Sequence, residues 1–307
     1  MKNFKTLIAT LFIGTGLITM SCDDDNNNNE MSGQGSARIE ATDAAVDAEN
    51  VSGVFLSVDE VQVIANGEVE NSIMFDEPEV FDIMAYQNGE TYFMGEVDLD
   101  AGAYDQVRLM LTSGAEAFIE FTDGTTQEID VPSGSQSGYK INGEFEVLAN
   151  GVSEVVLDVD LRKALVMTGN GEYKLRPTAR LIGKSESGTI MGSVDVSQMS
   201  ADSKTVVYAY AEGSYSDSEM GEPAEGSARF EGSVNSATVD ASGNFTLAFM
   251  PEGDYEIIVA SYEEDPMDED GFTFTSATKV EVEINGSLLD IFSVEARSTT
   301  NLIIDLF

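Results

Sequence analysis

Few side chains in this sequence could do chemistry, and their types narrow the options sharply. There is no histidine among the 307 residues, which excludes a Ser-His-Asp triad, a Cys-His pair and an imidazole metal site. The one cysteine, Cys22, ends an apolar run, so thiol catalysis and thiolate zinc sites have no second residue to use. With 56 acidic residues, some pair of carboxylates at glycosidase spacing is inevitable and carries no information. A carboxylate-based hydrolase is therefore the most remote reading. Asp265, Asp268, Glu269 and Asp270 precede Gly271 and invite calcium, because hard cations take several carboxylate oxygens. The spacing fails an EF-hand: with Gly271 sixth, Pro266 would stand first and Ala277 twelfth. Two readings stay open there, a weak calcium loop and a solvated acidic loop. Tyr208, Tyr210 and Tyr215 could stack on a sugar if they share an exposed face. In the other reading Val206, Tyr208 and Tyr210 face a core, and Val207 and Ala209 face out.

Cys22 closes a targeting segment. Lys2 and Lys5 give a positive start, an apolar run follows from Leu7 to Ile18, and Thr19-Met20-Ser21 leads into the cysteine. The run is too short for a bilayer core, which takes ~20 residues, and the three-part order is that of a secretory signal. A small residue directly before the cysteine resembles the cleavage site of bacterial lipoproteins, whose cysteine becomes the lipidated first residue. Thr19 and Met20 depart from the strict pattern. The resemblance implies a signal over 1–21, an acylated (palmitate-bearing) Cys22 and an outer-membrane lipoprotein. The alternative is an ordinary signal cut near Ser21, leaving a free thiol that an oxidising compartment disfavours. Asp23, Asp24 and Asp25 come next, then Asn26 to Asn29 and small polar residues, so 22–35 reads as a disordered tether. The acidic triplet resembles surface-export signals of lipoproteins in some Gram-negative bacteria. Read instead as a spacer, it leaves the protein facing the periplasm.

The bulk of the chain must position whatever these residues do. Its 15 basic and 56 acidic groups give a net charge of −41. Loss of residues 1–21 removes Lys2 and Lys5 and no acid, giving −43. Such a field repels nucleic acid and anionic lipid, so nucleic acid is no partner and membrane contact falls to the lipid. Hydrophobic residues at 42% suffice for packed domains, and the length fits two.

Strand patterns run almost throughout, and an all-β chain with two β-sandwich domains is expected. Val54, Leu56 and Val58 alternate, then the phase moves to Val61 and Val63, which predicts a bulge near Asp59-Glu60. Asp123-Gly124 predicts a tight hairpin with positive φ at both central residues. A short helix is expected within Leu161 to Met167. Lys184 to Gly188 is small and polar, a flexible boundary between domains at 36–184 and 188–307. Leu302, Ile304 and Leu306 predict a closing strand. Two turns echo each other: Ala101-Gly102-Ala103-Tyr104 before Val107 and Leu109, and Glu252-Gly253-Asp254-Tyr255 before Ile257 and Val259. In each, the tyrosine can pack at a sandwich corner with its hydroxyl bonded back to the turn.

Several stretches carry a family resemblance. Ala41-Thr42-Asp43-Ala44, Val58-Asp59-Glu60-Val61-Gln62-Val63, Ala101 to Leu109, Val131-Pro132-Ser133-Gly134, Ser137-Gly138-Tyr139-Lys140 and Leu175-Arg176-Pro177 resemble domain of unknown function 4382 over residues 36–183. Ala45 stands where that family usually has proline. The resemblance implies a secreted or lipid-anchored β domain and supplies no catalytic residue. Ser137 and Lys140 also match the Ser-x-x-Lys spacing of penicillin-recognising enzymes, a coincidence without the companion motifs. Gly188 to Val194, and Asp240 through Tyr255 with Gly243 and Phe245, resemble the carboxypeptidase-regulatory or transthyretin-like sandwich, a carbohydrate-binding-like fold. Related folds bind sugars or act as spacers, and fold alone does not choose. The expectation is a non-enzymatic, lipid-anchored binding or structural module with a glycan or envelope-protein partner. A glycan-binding accessory lipoprotein is the alternative.

Overall fold

Alternating apolar side chains turn one face of each strand to a core, and the observed fold is built almost wholly that way. The computed structural model describes residues 33–43, 51–195, 203–224, 226–264 and 272–305. Cys22, Asp23, Asp24 and Asp25, like Asp265, Asp268, Glu269 and Asp270, lie outside the described residues, as does Leu306.

The first sandwich opens with β1 (Gln34–Asp43), β2 (Val51–Ala65), β3 (Glu68–Asp82), β4 (Tyr92–Asp100), β5 (Gly102–Leu111) and β6 (Ala117–Phe121). It continues with β7 (Thr126–Asp130), the one-turn helix α1 (Gly134–Ser137), β8 (Tyr139–Val147) and β9 (Val152–Val159). A second one-turn helix, α2 (Leu161–Ala164), precedes β10 (Leu165–Met167), β11 (Tyr173–Leu175) and β12 (Ala179–Gly183). One sheet has the order β12-β9-β1-β4; the other runs β10-β11-β7-β6-β2-β5-β8, with β3 paired on β2. Ala37, Ile39 and Ala41 of β1 and Val155, Leu157 and Val159 of β9 meet Val54, Leu56, Val61 and Val63 of β2 in one core.

The second sandwich follows with β13 (Ser187–Val194), β14 (Ser203–Ala211), β15 (Asn235–Thr238), β16 (Asn244–Pro251) and β17 (Gly253–Glu264). It ends with β18 (Phe272–Val280), β19 (Val282–Ile284), β20 (Ser287–Leu289), β21 (Phe292–Val294) and β22 (Thr299–Ile304). Its sheets are β16-β13-β22-β19-β20 and β15-β14-β17-β18, with β21 paired on β17. Ile190, Leu247, Leu302 and Ile304 from one sheet pack on Val207, Ala209, Ile257 and Val259 from the other.

Several local expectations hold and several change. Pairing of β2 with both β3 and β5 slips between Val58 and Glu60, the bulge the phase change predicted. Tyr104 donates its hydroxyl to the Asp100 carbonyl at 2.7 Å, and Tyr255 does the same to the Pro251 carbonyl at 2.7 Å. Asp123-Gly124 is not a two-residue turn. Phe121 N–H bonds to the Thr125 carbonyl across a wider loop, Gly124 alone takes positive φ (81°), and Asp123 Oδ1 accepts from Thr125 N–H at 2.8 Å. Helix 161–167 shrinks to Leu161–Ala164, because Leu165–Met167 pairs with β11. Ser137 ends α1, and Lys140 lies on β8.

The 184–188 segment also departs from expectation. Lys184–Glu186 forms a single 3-10 turn, and Ser187 and Gly188 are buried at the start of β13. A Cβ on Gly188 would sit 2.5 Å from the Glu295 carbonyl oxygen, so the close backbone approach there requires glycine. Ordered pairing replaces the flexible linker that small polar residues suggested.

Candidate functional site

Tyr208 and Tyr210 form no exposed sugar-stacking surface, and Val207 and Ala209 do not face out. Val206, Val207, Tyr208, Ala209 and Tyr210 are all buried, so β14 has no exposed face. Val207 and Ala209 belong to the core between the sheets. Val206, Tyr208 and Tyr210 pack on a separate cluster with Phe230, Ile258 and Tyr262. Covering that cluster is the excursion between β14 and β15. Tyr210 donates to Glu219 Oε2 at 2.8 Å, and its ring meets Tyr215 edge-on at 5.2 Å. Tyr208 and Tyr262 share a hydroxyl hydrogen bond of 2.9 Å. Burial and then the Glu219 carboxylate push the Tyr210 hydroxyl far above its ordinary value. Of the three tyrosines only Tyr215 is partly open to solvent, so no sugar-stacking face forms there.

What the fold assembles instead is a charged junction between the two sandwiches. Strand registers place Thr42, Asp158 and Arg180 side by side across β1, β9 and β12. This row lies on the face opposite Ala41, Leu157 and Leu181, which belong to the core. It would normally be solvated, yet Thr42 and Asp158 are only 3% and 2% exposed. Asn235, Ser236, Thr246, Ala248 and Phe249 of the second sandwich meet Thr42, Asp43 and Asp158 around a small cavity. Two non-glycine residues with left-handed backbone flank the junction, Phe230 (φ 56°) and Phe249 (φ 53°). For bulky side chains that conformation stores strain, which the surroundings must over-determine.

Arg162 on α2 crosses between the sandwiches. Its guanidinium donates to the Phe230 carbonyl at 2.8 Å, to Ser233 Oγ at 2.9 Å and to Asp160 Oδ2 at 3.0 Å. It also stands 5.2 Å from the centre of the Tyr208 ring. Lys163 donates to the Ser233 carbonyl at 2.6 Å and pairs with Asp160 at 3.2 Å. Beside the polypeptide crossing, Lys184 pairs with Glu40 at 2.6 Å.

Electrostatics distinguish the carboxylates here. Burial raises Asp160, but Arg162 and Lys163 together outweigh it and hold the group below the usual range. Burial likewise works against Glu40, and Lys184 and Thr91 overcome it, so this carboxylate too is lowered. Asp158 is raised by burial in spite of its Arg180 partner. Asp43 is raised furthest: burial dominates, Asp158 and Asp160 add repulsion, and only the Leu161 N–H and Gln87 amide oppose them. Sequence reasoning passed over Arg162, Asp158 and Asp160. The usable signal was the unbroken apolar run Val206 to Tyr210, which marks a strand buried on both faces and so demands a second layer.

Among the described residues, no three histidine, cysteine, aspartate or glutamate side chains converge as a metal site.

Comparison with solved structures gives three representative likenesses. The Bacillus anthracis TIE protein is 13% identical, with 88% of this chain and 34% of that one covered and a TM-score of 0.20. BcpA, the major pilin subunit of Bacillus cereus, is 10% identical over 89% and 69%, with a TM-score of 0.21. Shaft pilin spaA from Lactobacillus rhamnosus GG is 8% identical over 90% and 98%, with a TM-score of 0.22. This chain thus spans about a third of the length of the TIE protein. TM-scores so far below 0.5 support no conclusion about what this chain does. Comparison with curated proteins gave no match. Residues 34–177, just under half of the chain and nearly all of its first sandwich, match the family described as "Domain of unknown function (DUF4382)".

Proposed function

We propose that this chain is a non-enzymatic structural module of the cell envelope, lipid-anchored through Cys22, that holds two β-sandwiches at the outer membrane as one rigid spacer. The observation that carries this reading is the Arg162 junction. A spacer must resist bending between its domains, and small polar interfaces permit motion by default. Here a guanidinium with 5% exposure is fixed by acceptors from both sandwiches, and freeing it would strand a buried charge.

The anchor rests on the signal-like segment before Cys22 and on the acidic residues after it. Several acyl chains on one cysteine would make attachment effectively permanent, because each buried methylene contributes ~0.8 kcal/mol. Asp23, Asp24 and Asp25 serve in this reading as a surface-export signal. The glycan-binding alternative drew on Tyr208, Tyr210 and Tyr215 and on the fold, and burial of Tyr208 and Tyr210 takes two of its three candidate side chains away.

Expression in a Gram-negative host fed labelled palmitate tests the anchor. Wild-type protein should carry label and sediment with membranes after a salt wash, and Cys22→Ala should lose both. Cys22→Ala protein that stays in the washed pellet contradicts the reading. Alanine at positions 23–25 should keep the label yet reduce cleavage by protease added to whole cells.

A further inference from the structure

We propose that the outer face of the first sandwich binds the carboxylate of an acidic sugar between Arg108 and Lys140. Strand register places these two cations directly opposite each other on β5 and β8. Their chain neighbours Val107, Leu109, Tyr139 and Ile141 are buried in the core. Side chains alternate along a strand, so Arg108 and Lys140 share the outward face. Like charges directly opposite each other destabilise a ladder. Acids to neutralise them are plentiful, 56 against 15 bases, and eight basic side chains of the described residues do pair with a carboxylate. Arg108 and Lys140 do not. Arg108 Nε donates to the Gln106 side chain, and Lys140 has no side-chain partner among the described residues. Two adjacent cations left bare amid so much acid form a seat for an outside anion.

The guanidinium is held ready for it. Gln106 fixes Nε, and the backbone of Gly138 lies against the side-chain stem. A Cβ on Gly138 would stand 3.1 Å from Arg108 Cβ and 2.9 Å from Met110 Sδ. With Nε engaged, the two terminal nitrogens of Arg108 remain to grip both oxygens of a carboxylate. Lys140 adds a second charge from the neighbouring strand.

The surroundings select what carries that carboxylate. Gln62 stands opposite Arg108 on β2, and Asn142 opposite Gln106 on β8. Gln62 Nε2 donates to Glu60 at 3.1 Å, and Asn142 Oδ1 accepts from Gln106. That leaves the Gln62 amide oxygen to accept and the Asn142 amide N–H groups to donate, a set that suits sugar hydroxyls. A net charge of −41 repels a polyanion or an anionic membrane along its whole extent. A sugar with one carboxylate per ring feels far less of that field, because charges beyond ~8 Å are screened at physiological ionic strength. The site is separate from the Arg162 junction, so its failure would leave the spacer reading intact.

Calorimetric titration of the purified full chain with a galacturonate disaccharide tests the site. The neutral galactose disaccharide and inorganic phosphate serve as comparison ligands. The acidic disaccharide should bind and the neutral one should not. Phosphate, which reaches neither Gln62 nor Asn142, should bind about tenfold more weakly. Arg108→Gln and Lys140→Gln should each weaken disaccharide binding about tenfold or more, and Arg108→Lys should not restore it, since the planar fork is gone. Lys140→Gln should keep or raise the ligand-free Tm, because a like-charge contact is removed. That readout separates lost binding from lost folding. Equal binding of the neutral sugar, phosphate as tight as the disaccharide, affinity unchanged in both glutamine variants, or a Tm lowered by Lys140→Gln would overturn the proposal. So would sedimentation of Cys22→Ala protein with anionic phospholipid vesicles, which would make the pair a lipid contact. An absence of binding at about 10 mM disaccharide, where a complex with a dissociation constant of ~1 mM is mostly formed, would overturn it as well.

Discussion

Arg162 and Phe230, 68 positions apart, are joined across the two sandwiches by a 2.8 Å hydrogen bond from guanidinium to carbonyl. The carbonyl belongs to a residue with φ of 56°, so the cation and the strained backbone stabilise each other. Arg162→Ala removes one partner from a buried network and should cost about 3–5 kcal/mol in urea unfolding. Calorimetry should show the two sandwiches melting further apart in temperature than in wild type. A loss below ~1 kcal/mol, the value of an exposed pair, would mean that the junction is loose in solution.

The two tyrosine turns predict a matched pair of effects. Tyr104→Ala and Tyr255→Ala empty buried ring sites and should each cost about 3–5 kcal/mol. Tyr104→Phe and Tyr255→Phe keep the ring and lose one hydrogen bond, so each should cost about 1 kcal/mol. Phenylalanine variants as damaged as the alanine ones would give the hydroxyl a larger role than a turn clamp.

The buried Asp43 predicts a pH dependence with a definite sign. Its folded value is raised, so the stability tied to its proton is complete below the unfolded value, ~3.9, and is lost as pH rises through the folded one. Glu40 and Asp160 are lowered and run the other way, losing stability on acidification. They are common to wild type and Asp43→Asn and cancel in the difference. Asp43→Asn should therefore gain on wild type as pH rises from about 4 through the raised folded value of Asp43. A flat difference would place Asp43 in a solvated setting.

Protease should spare the 184–188 segment. Ser187 pairs with Pro251 and Gly188 with Met250, Lys184 is tied to Glu40, and Arg297 donates to the Ser185 carbonyl at 3.0 Å. Proteases select exposed, unpaired backbone, so limited digestion of wild type should leave this segment whole. Early cleavage between 184 and 188 would restore the flexible-linker view.

How much of this was legible depends on distance along the chain. The Tyr104 and Tyr255 turns could be read because each hydroxyl reaches a carbonyl four residues away, and the bulge because a phase change is local. Two sandwiches follow from alternation and turn residues alone. Arg162 could not be read, since its acceptors Phe230 and Ser233 lie 68 and 71 residues downstream and a charge on a short polar turn looks solvated. Asp158 and Glu40 alternate with apolar neighbours as outward residues should, and only a second layer buries them. Of the two readings of β14, the one that turned Val206, Tyr208 and Tyr210 to a core holds, but Val207 and Ala209 are buried as well, because nothing nearby in sequence announced the excursion that covers the strand's second face.

Rigidity of the pair of sandwiches is the core of the account, and one distance measurement addresses it. Spin labels at Ser113→Cys and Ser242→Cys, both exposed turn positions, would be introduced with Cys22→Ala, so that no other thiol is present. Pulsed dipolar spectroscopy should give one narrow distance distribution, and Arg162→Ala should broaden it. A broad distribution in the protein with Arg162 intact would contradict the rigid spacer.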